Sequence, residues 1–398
     1  MRKFCFTTLA AMLCSTAAIA DVNVGNPMAI TGPIPDLVAP MVTAIDLAVK
    51  HVNDQGGMLA AGETYNMVRF DTGCDPAGGV DAVTKLINVS SVSAIVGPVC
   101  SGATIAQAQS VSIPAGVVTL SVSASSKDIT DMEDGTDLVF RTAASDAYQG
   151  VALANLALAK GLNDIAVSYA NDDYNAAIAE VFTKAYTAAG GTITANEAHE
   201  PDKASYRSEV STLGNTSDNL ALFAYYGSSG ITIMRNALET GAFDTFLGAD
   251  GMLADEVIEQ IGAENMGGVT FTTSASDDSS VGYAAWAAVA EGSGIENVGG
   301  PFVPNAYDAA FMMALAIEKS GSDKREDVAE ALRSISSAPG AVILPGEWKK
   351  AKAILASGGD INYEGGAGPH DFDKNGDVMG FFSQSSVVNG AWSATLIK

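Results

Sequence analysis

What most constrains this chain is an alternation that runs twice. Short apolar, β-branched runs take turns with segments whose apolar residues recur every three or four positions. In the first series Val22 to Ile30 reads as a strand. After the Gly32-Pro33 turn, Ala44, Ile45, Ala48, Val49 and Val52 mark a helix that Gly56-Gly57 ends. Val68 and Phe70 lie on a second strand, and Asp75-Pro76 has the form of an N-cap followed by proline at the first helical position. Val80, Val83, Leu86 and Ile87 form that helix's buried stripe, and Ser93 to Val96 is a third strand ending at Gly97-Pro98. The rhythm restarts after Phe140-Arg141-Thr142. There Ala147–Ala159 and Ala176–Ala188 read as helices, and Ile165–Tyr169, Leu220–Tyr225, Phe246–Gly248 and Val269–Phe271 as strands. Strands separated by helical patterns predict parallel sheets of βαβ units, so two series predict an α/β chain of two doubly wound, Rossmann-like lobes. The glycine-rich stretch 292–300 is expected to be a surface loop.

The amino-terminal segment has a different character. Arg2 and Lys3 precede an apolar run from Phe4 to Ile19, closed by Ala18-Ile19-Ala20. This is the pattern of a secretory signal peptide over residues 1–20, cut after Ala20. The run is short and contains hydroxyls, which weighs against a membrane anchor. The chain holds 46 acidic and 21 basic residues, a net charge of −25. The leader takes two of the basic residues and no acid, so the exported part carries −27. A surface this acidic repels nucleic acid and anionic lipid. Cys5 and Cys14 leave with the leader, and Cys74 and Cys100 remain. In an oxidising compartment this pair is expected to form a disulfide closing a loop of about 26 residues, with a stabilisation of about 3 kcal/mol.

Binding chemistry is expected where strands end. Gly97 to Thr104 follows a strand and opens a helix, placing Ser101 beside unpaired backbone N–H groups that suit an anion; as a plain N-cap, Ser101 would need no ligand. Ser121, Ser123, Ser125 and Ser126 follow the next strand and add hydroxyls. Asp250, before Gly251, is either a turn residue or a partner for an ammonium group. Tyr174, Tyr226 and Tyr307 sit near strand ends or helix starts and offer apolar walls with a hydroxyl. Asp371 to Asp377 has the first half of an EF-hand loop, but Phe382 stands where the bidentate glutamate belongs, so a polar turn is preferred to calcium. His51, His199 and His370 fit no metal or triad spacing, and no GxSxG, phosphate-loop or GxGxxG motif occurs. No enzyme activity, cofactor or metal is therefore expected.

Taken in order, GPVCSGAT (97–104), the Cys74 and Cys100 pair, FRT (140–142), NDDY (171–174), AYYG (224–227), GADG (248–251), NAYDA (305–309) and DFDKNGD (371–377) resemble the branched-chain amino acid binding proteins of ABC transporters. These are type I periplasmic binding proteins. The resemblance implies two lobes joined by three hinge strands, crossing near Thr142, Phe271 and His370. The N-terminal lobe would be 21–141 plus 272–369, and the C-terminal lobe 142–271 plus 370–398. It implies Ser101, Ser123 (mostly through its backbone) and Ser125 on a ligand carboxylate, Asp250 on its ammonium, and Tyr174, Tyr226 and Tyr307 lining the pocket. It places the Cys74–Cys100 disulfide beside the site. Leu37 stands where an aromatic cover is common, Ser125 where threonine is usual, and Asp250 where leucine-type binders carry glutamate. The implied role is capture of a small neutral amino acid by a periplasmic monomer that docks on an inner-membrane ABC permease. An amide, urea or aromatic carboxylate as ligand, or a sensory role, stays open.

Overall fold

The computed structural model describes residues 21–132 and 136–397, so the leader read at 1–20 lies outside the described residues. The first series yields β1 (Asp21–Met28), β2 (Thr64–Asp71), β3 (Ile95–Val96), β4 (Thr119–Ser121) and β5 (Val139–Arg141). They form one sheet in the order β2-β1-β3-β4-β5, and every pairing is parallel. Successive side chains feed opposite faces. Ile95 packs with Val83, Leu86 and Val92, whereas Val96 joins Val22, Val24, Ile45 and Ala48. Central β3 is buried on both faces and wholly apolar, whereas edge strand β2 keeps Thr64, Asn66, Arg69 and Asp71.

Helix formation follows local chemistry. The helix Pro35–Asp54 begins on proline and buries Leu37, Met41, Ala44, Ile45, Ala48 and Val52. In the helix Pro76–Asn88 the Asp75 carboxylate accepts from Gly78 N at 2.9 Å, the cap expected from the sequence. The long helix Val303–Ser320 is buried from Val303 through Ile317 and packs on Pro35–Asp54. Buried on every side, it forms the centre of the first lobe.

The second series gives β6 (Asp164–Ala170), β7 (Thr192–His199), β8 (Asn219–Phe223), β9 (Thr245–Gly248) and β10 (Val269–Ala275). A small parallel pair follows, β11 (Ala341–Ile343) with β12 (Ile361–Tyr363). Then β13 (Phe381–Val388) and β14 (Ala391–Leu396) add antiparallel to β10, in the order β14-β13-β10-β9-β8-β6-β7. Among the described residues no helix is long and apolar enough to cross a membrane.

The chain passes between the two sheets after β5, after β10 and before β13. At the first passage Asn305 Nδ2 donates to Thr142 O at 2.7 Å, tying it to the central helix. The third passage lies later than His370, where the sequence put it. His370 is buried and donates from Nε2 to Asp308 of the central helix at 2.9 Å. Residues 371–377 also stay with the first lobe, because buried Arg141 binds Asp377 at 2.6 Å and the Arg141 N–H donates to Gly376 O at 3.1 Å. That segment is a turn closed on itself: Asp373 accepts from Asn375 N at 2.8 Å and Asp377 N at 3.1 Å.

Candidate functional site

The carboxyl ends of both parallel sheets face one another, the place where doubly wound sheets bind ligands. Between them lies a small cavity, lined by Ser101, Ser123 and Ser125 from the first lobe and Tyr174, Tyr225 and Asp250 from the second. Leu37, Met41, Val99 and Phe302 supply the apolar wall.

Loop hydrogen bonds set the first lobe's side. Ser121 donates to Pro98 O at 2.7 Å and Ser123 to Val99 O at 3.0 Å, pinning the loop after β4 to the loop after β3. The Ser123 hydroxyl is thereby occupied, which leaves its backbone to face the cavity. Ser101 opens the helix Ser101–Gln107, and its hydroxyl accepts from Ser126 N at 3.2 Å. The first N–H groups of that helix have no intrahelical acceptor. Cys100, directly before Ser101, is bonded to Cys74 with a Cα–Cα distance of 5.4 Å, the pair expected from the sequence.

The second lobe's side is acidic and aromatic. Asp250 follows β9, is 7% exposed, and accepts from Gln149 Nε2 at 3.0 Å. Burial holds its carboxyl above the usual carboxylate range against that bond. Asp172 caps the helix Asp173–Ala188, accepting from Tyr174 N at 3.1 Å, and so sets Tyr174 at the cavity. The Tyr174 ring stacks on Tyr225 with centroids 5.5 Å apart, and its hydroxyl has no partner among the described residues.

Two expected residues stand elsewhere. Tyr307 is buried in the first lobe, 2.7 Å from His51 Nδ1, accepting from Gly346 N at 2.9 Å, with its ring against Trp286 and Phe311. It does not line the cavity. Tyr226 sends its hydroxyl across the lobes to accept from Asp36 N at 3.1 Å, and its neighbour Tyr225 takes the place at the cavity.

Sequence reasoning missed Tyr225 at the cavity, and Gln149 and Asp146, which pack behind its lining against Asp250 and Ser125. Asp146 is fully buried in the first turn of the helix Asp146–Ala159, its N–H donating to Ser125 O at 2.7 Å. Burial first, then the neighbouring Asp250 charge, hold its carboxyl well above the usual range. Both its oxygens and Gln149 Oε1 are without partners among the described residues. Among those residues, no group of three or more His, Cys, Asp or Glu could hold a metal ion.

The profile of a family described as periplasmic binding protein matches residues 21–355. The Leu/Ile/Val-binding protein BraC3 of Rhizobium johnstonii is 28% identical over 344 residues, covering 84% of this chain and 90% of its own. The chemotactic signal transduction system substrate-binding protein BasB of Halobacterium salinarum is 27% identical over 393 residues, covering 95% of this chain and 90% of its own. In fold the chain is similar to the leucine binding protein LivK from Thermotoga maritima, with a TM-score of 0.79 at 22% identity, over 95% of this chain and 99% of that one.

Proposed function

The chain belongs to the periplasmic binding protein family, and we propose that it captures a small amino acid, branched-chain or otherwise neutral, as the solute-binding component of an ABC uptake transporter. One observation carries this reading. Hydroxyl and N–H donors on one lobe, at Ser101 and around Ser123 and Ser125, face the buried Asp250 carboxylate on the other side of a small cavity with an apolar wall. Donors suit a ligand carboxylate, carboxylates suit its ammonium, and the apolar wall suits a short side chain. The name of BraC3, a Leu/Ile/Val-binding protein, supports the same ligand class.

Capture proceeds by hinge closure about the three interlobe passages. Ligand enters on Ser101, Ser123 and Ser125, and the second lobe closes with Asp250, Tyr174 and Tyr225. The closed molecule presents both lobes to an inner-membrane permease. Export with cleavage after Ala20, a periplasmic location and a monomeric state belong to this reading. The site binds and does no chemistry on its ligand.

The test is a thermal-shift screen of residues 21–398 against amino acids, amides, urea and aromatic carboxylates. A ligand at about 100 times its Kd adds about 2.7 kcal/mol of stability. A shift with leucine, isoleucine or valine is the expected result. A shift confined to carboxylates without an amine would retire Asp250 as the ammonium partner.

A sensory role is the second reading, favoured by BasB, whose name places it in chemotactic signalling and which aligns with 95% of this chain. Co-purification with a permease, as against a membrane receptor, separates the two.

A further inference from the structure

A second cavity, of about 540 Å3, lies where β10 and β13 run beside the second and third interlobe passages. Its floor is one face of the sheet. Thr273 stands opposite Ser383 in the β10–β13 pairing, and Ser385, two residues on, faces the same way. All three line the cavity and are buried, with 5%, 4% and 4% of their surface exposed. Their hydroxyls take no partner among the described residues. Trp392 forms a wall. Its Nε1 donates to Ala254 O at 3.1 Å and its ring lies 5.7 Å from that of Phe271, which fixes the indole face. Asn297, Gly299 and Gly300 line another side, so the glycine-rich stretch is a cavity wall as well as a surface loop. The charged side chains lining the space are Asp36 of the first lobe and Asp255 of the second, and no lysine, arginine or histidine lines it. Each acid sits in the first turn of a helix, which stabilises it without a ligand. Neither forms an ion pair among the described residues, and the helix ends do not account for three unserved buried hydroxyls in the same cavity.

We propose that this cavity binds a second ligand, a small organic ammonium ion that also carries a hydroxyl. Asp36 and Asp255 take its charge, the Trp392 ring packs on its carbon frame, and Ser383, Ser385 and Thr273 bond its hydroxyl. The sign of the charge follows from a lining with carboxylates and no cation, on a chain whose net charge of −25 draws cations to it. A bare metal ion does not fit: among the described residues no group of three or more His, Cys, Asp or Glu could hold one. The site is distinct from the amino acid cavity, since among the described residues Leu37 alone lines both. A ligand here touches both lobes and the strands next to two passages, so it binds alongside a captured amino acid rather than in its place.

The chain's three tryptophans make the test direct. Trp286 and Trp348 are fully buried and Trp392 is half-buried, so acrylamide quenching of the fluorescence of residues 21–398 reports Trp392. Choline and ethanolamine are the probes. Sodium chloride at equal ionic strength and the neutral alcohol isosteric with choline are the controls. The expected result is saturable protection of Trp392 by a probe, with a Kd of about 1 mM, and none by either control. Saturating leucine leaves that protection in place. Asp36→Asn and Asp255→Asn, both at exposed positions, are each expected to weaken the probe by about 3- to 10-fold. No saturable protection from either probe overturns the inference, as does equal protection by sodium chloride or the neutral alcohol. So does protection that survives both substitutions unchanged. A probe that leucine displaces also overturns it, by placing the ammonium ion in the amino acid cavity.

Discussion

Two buried aspartates divide the molecule by purpose. Asp308, in the centre of the first lobe, receives four donors: Tyr363 OH at 2.7 Å, Gly366 N at 3.0 Å, Ala367 N at 2.7 Å and His370 Nε2 at 2.9 Å. The carboxylate of Asp146, packed behind the cavity lining at Ser125, receives none from the described residues. Burial is equal and chemistry is identical; only the supply of donors differs. A carboxylate that the chain satisfies holds elements together, here the loop 364–370 against the central helix. One that the chain leaves short of donors holds nothing together and stands as a cost to the fold.

The comparison is broken most easily at Asp308. Asp308→Ala leaves Tyr363, His370 and two backbone N–H groups unpaired, and is expected to cost about 3–5 kcal/mol of stability in urea unfolding, with ligand affinity per folded molecule unchanged. His199 belongs to the same satisfied class, bonded at 2.9 Å to both Ser168 and Ser229. Burial lowers its pKa to about 4. The unfolded chain therefore takes up the proton first as pH falls, so this stability is complete above about pH 6.5 and is lost between there and about 4, about 3 kcal/mol in all. The difference between natural protein and His199→Gln across that window isolates it.

Asp250→Ala is expected to show the opposite split: affinity weaker by about 2–4 kcal/mol by calorimetry, with unfolding stability unchanged or raised. The smallest effects come from the tyrosines. Tyr307→Phe should lose about 1–2 kcal/mol of stability and no affinity, having abandoned His51 and Gly346. Tyr226→Phe should lose about 1 kcal/mol of affinity and little stability, since its hydroxyl accepts from Asp36 N across the lobes. A Tyr307→Phe variant that bound more weakly would put that residue back at the site.

The fold was largely legible because parallel strands and amphipathic helices write their periods directly, and because Asp75-Pro76 and the 140–142 crossing are local signals. The cavity lining was legible where a strand end alone places a residue, as with Ser101, Ser125 and Asp250. Tyr225 and Tyr226 defeated this logic: they follow β8 in a wide turn, Tyr226–Gly230, where the alternation of a strand no longer says which ring points inward. Tyr307 lies on a helix buried on every face, which has no stripe to reveal direction. Asp146 reads as an ordinary first-turn acid after the Ser145 cap, and only the packing of the loop after β4 buries it. The late third passage depends on Arg141 meeting Asp377, a pairing 236 residues apart that no local pattern announces.

The Cys74–Cys100 bond has a consequence in time rather than in strength. It secures the residue immediately before Ser101, at the corner that would receive a ligand's carboxylate. Disulfides persist in oxidising compartments and are kept open in the reducing cytosol. On the proposed route of export, the corner is therefore tied down only after the chain has left the cytosol, where free amino acids are made and used. The trap is finished in the compartment where it is meant to work.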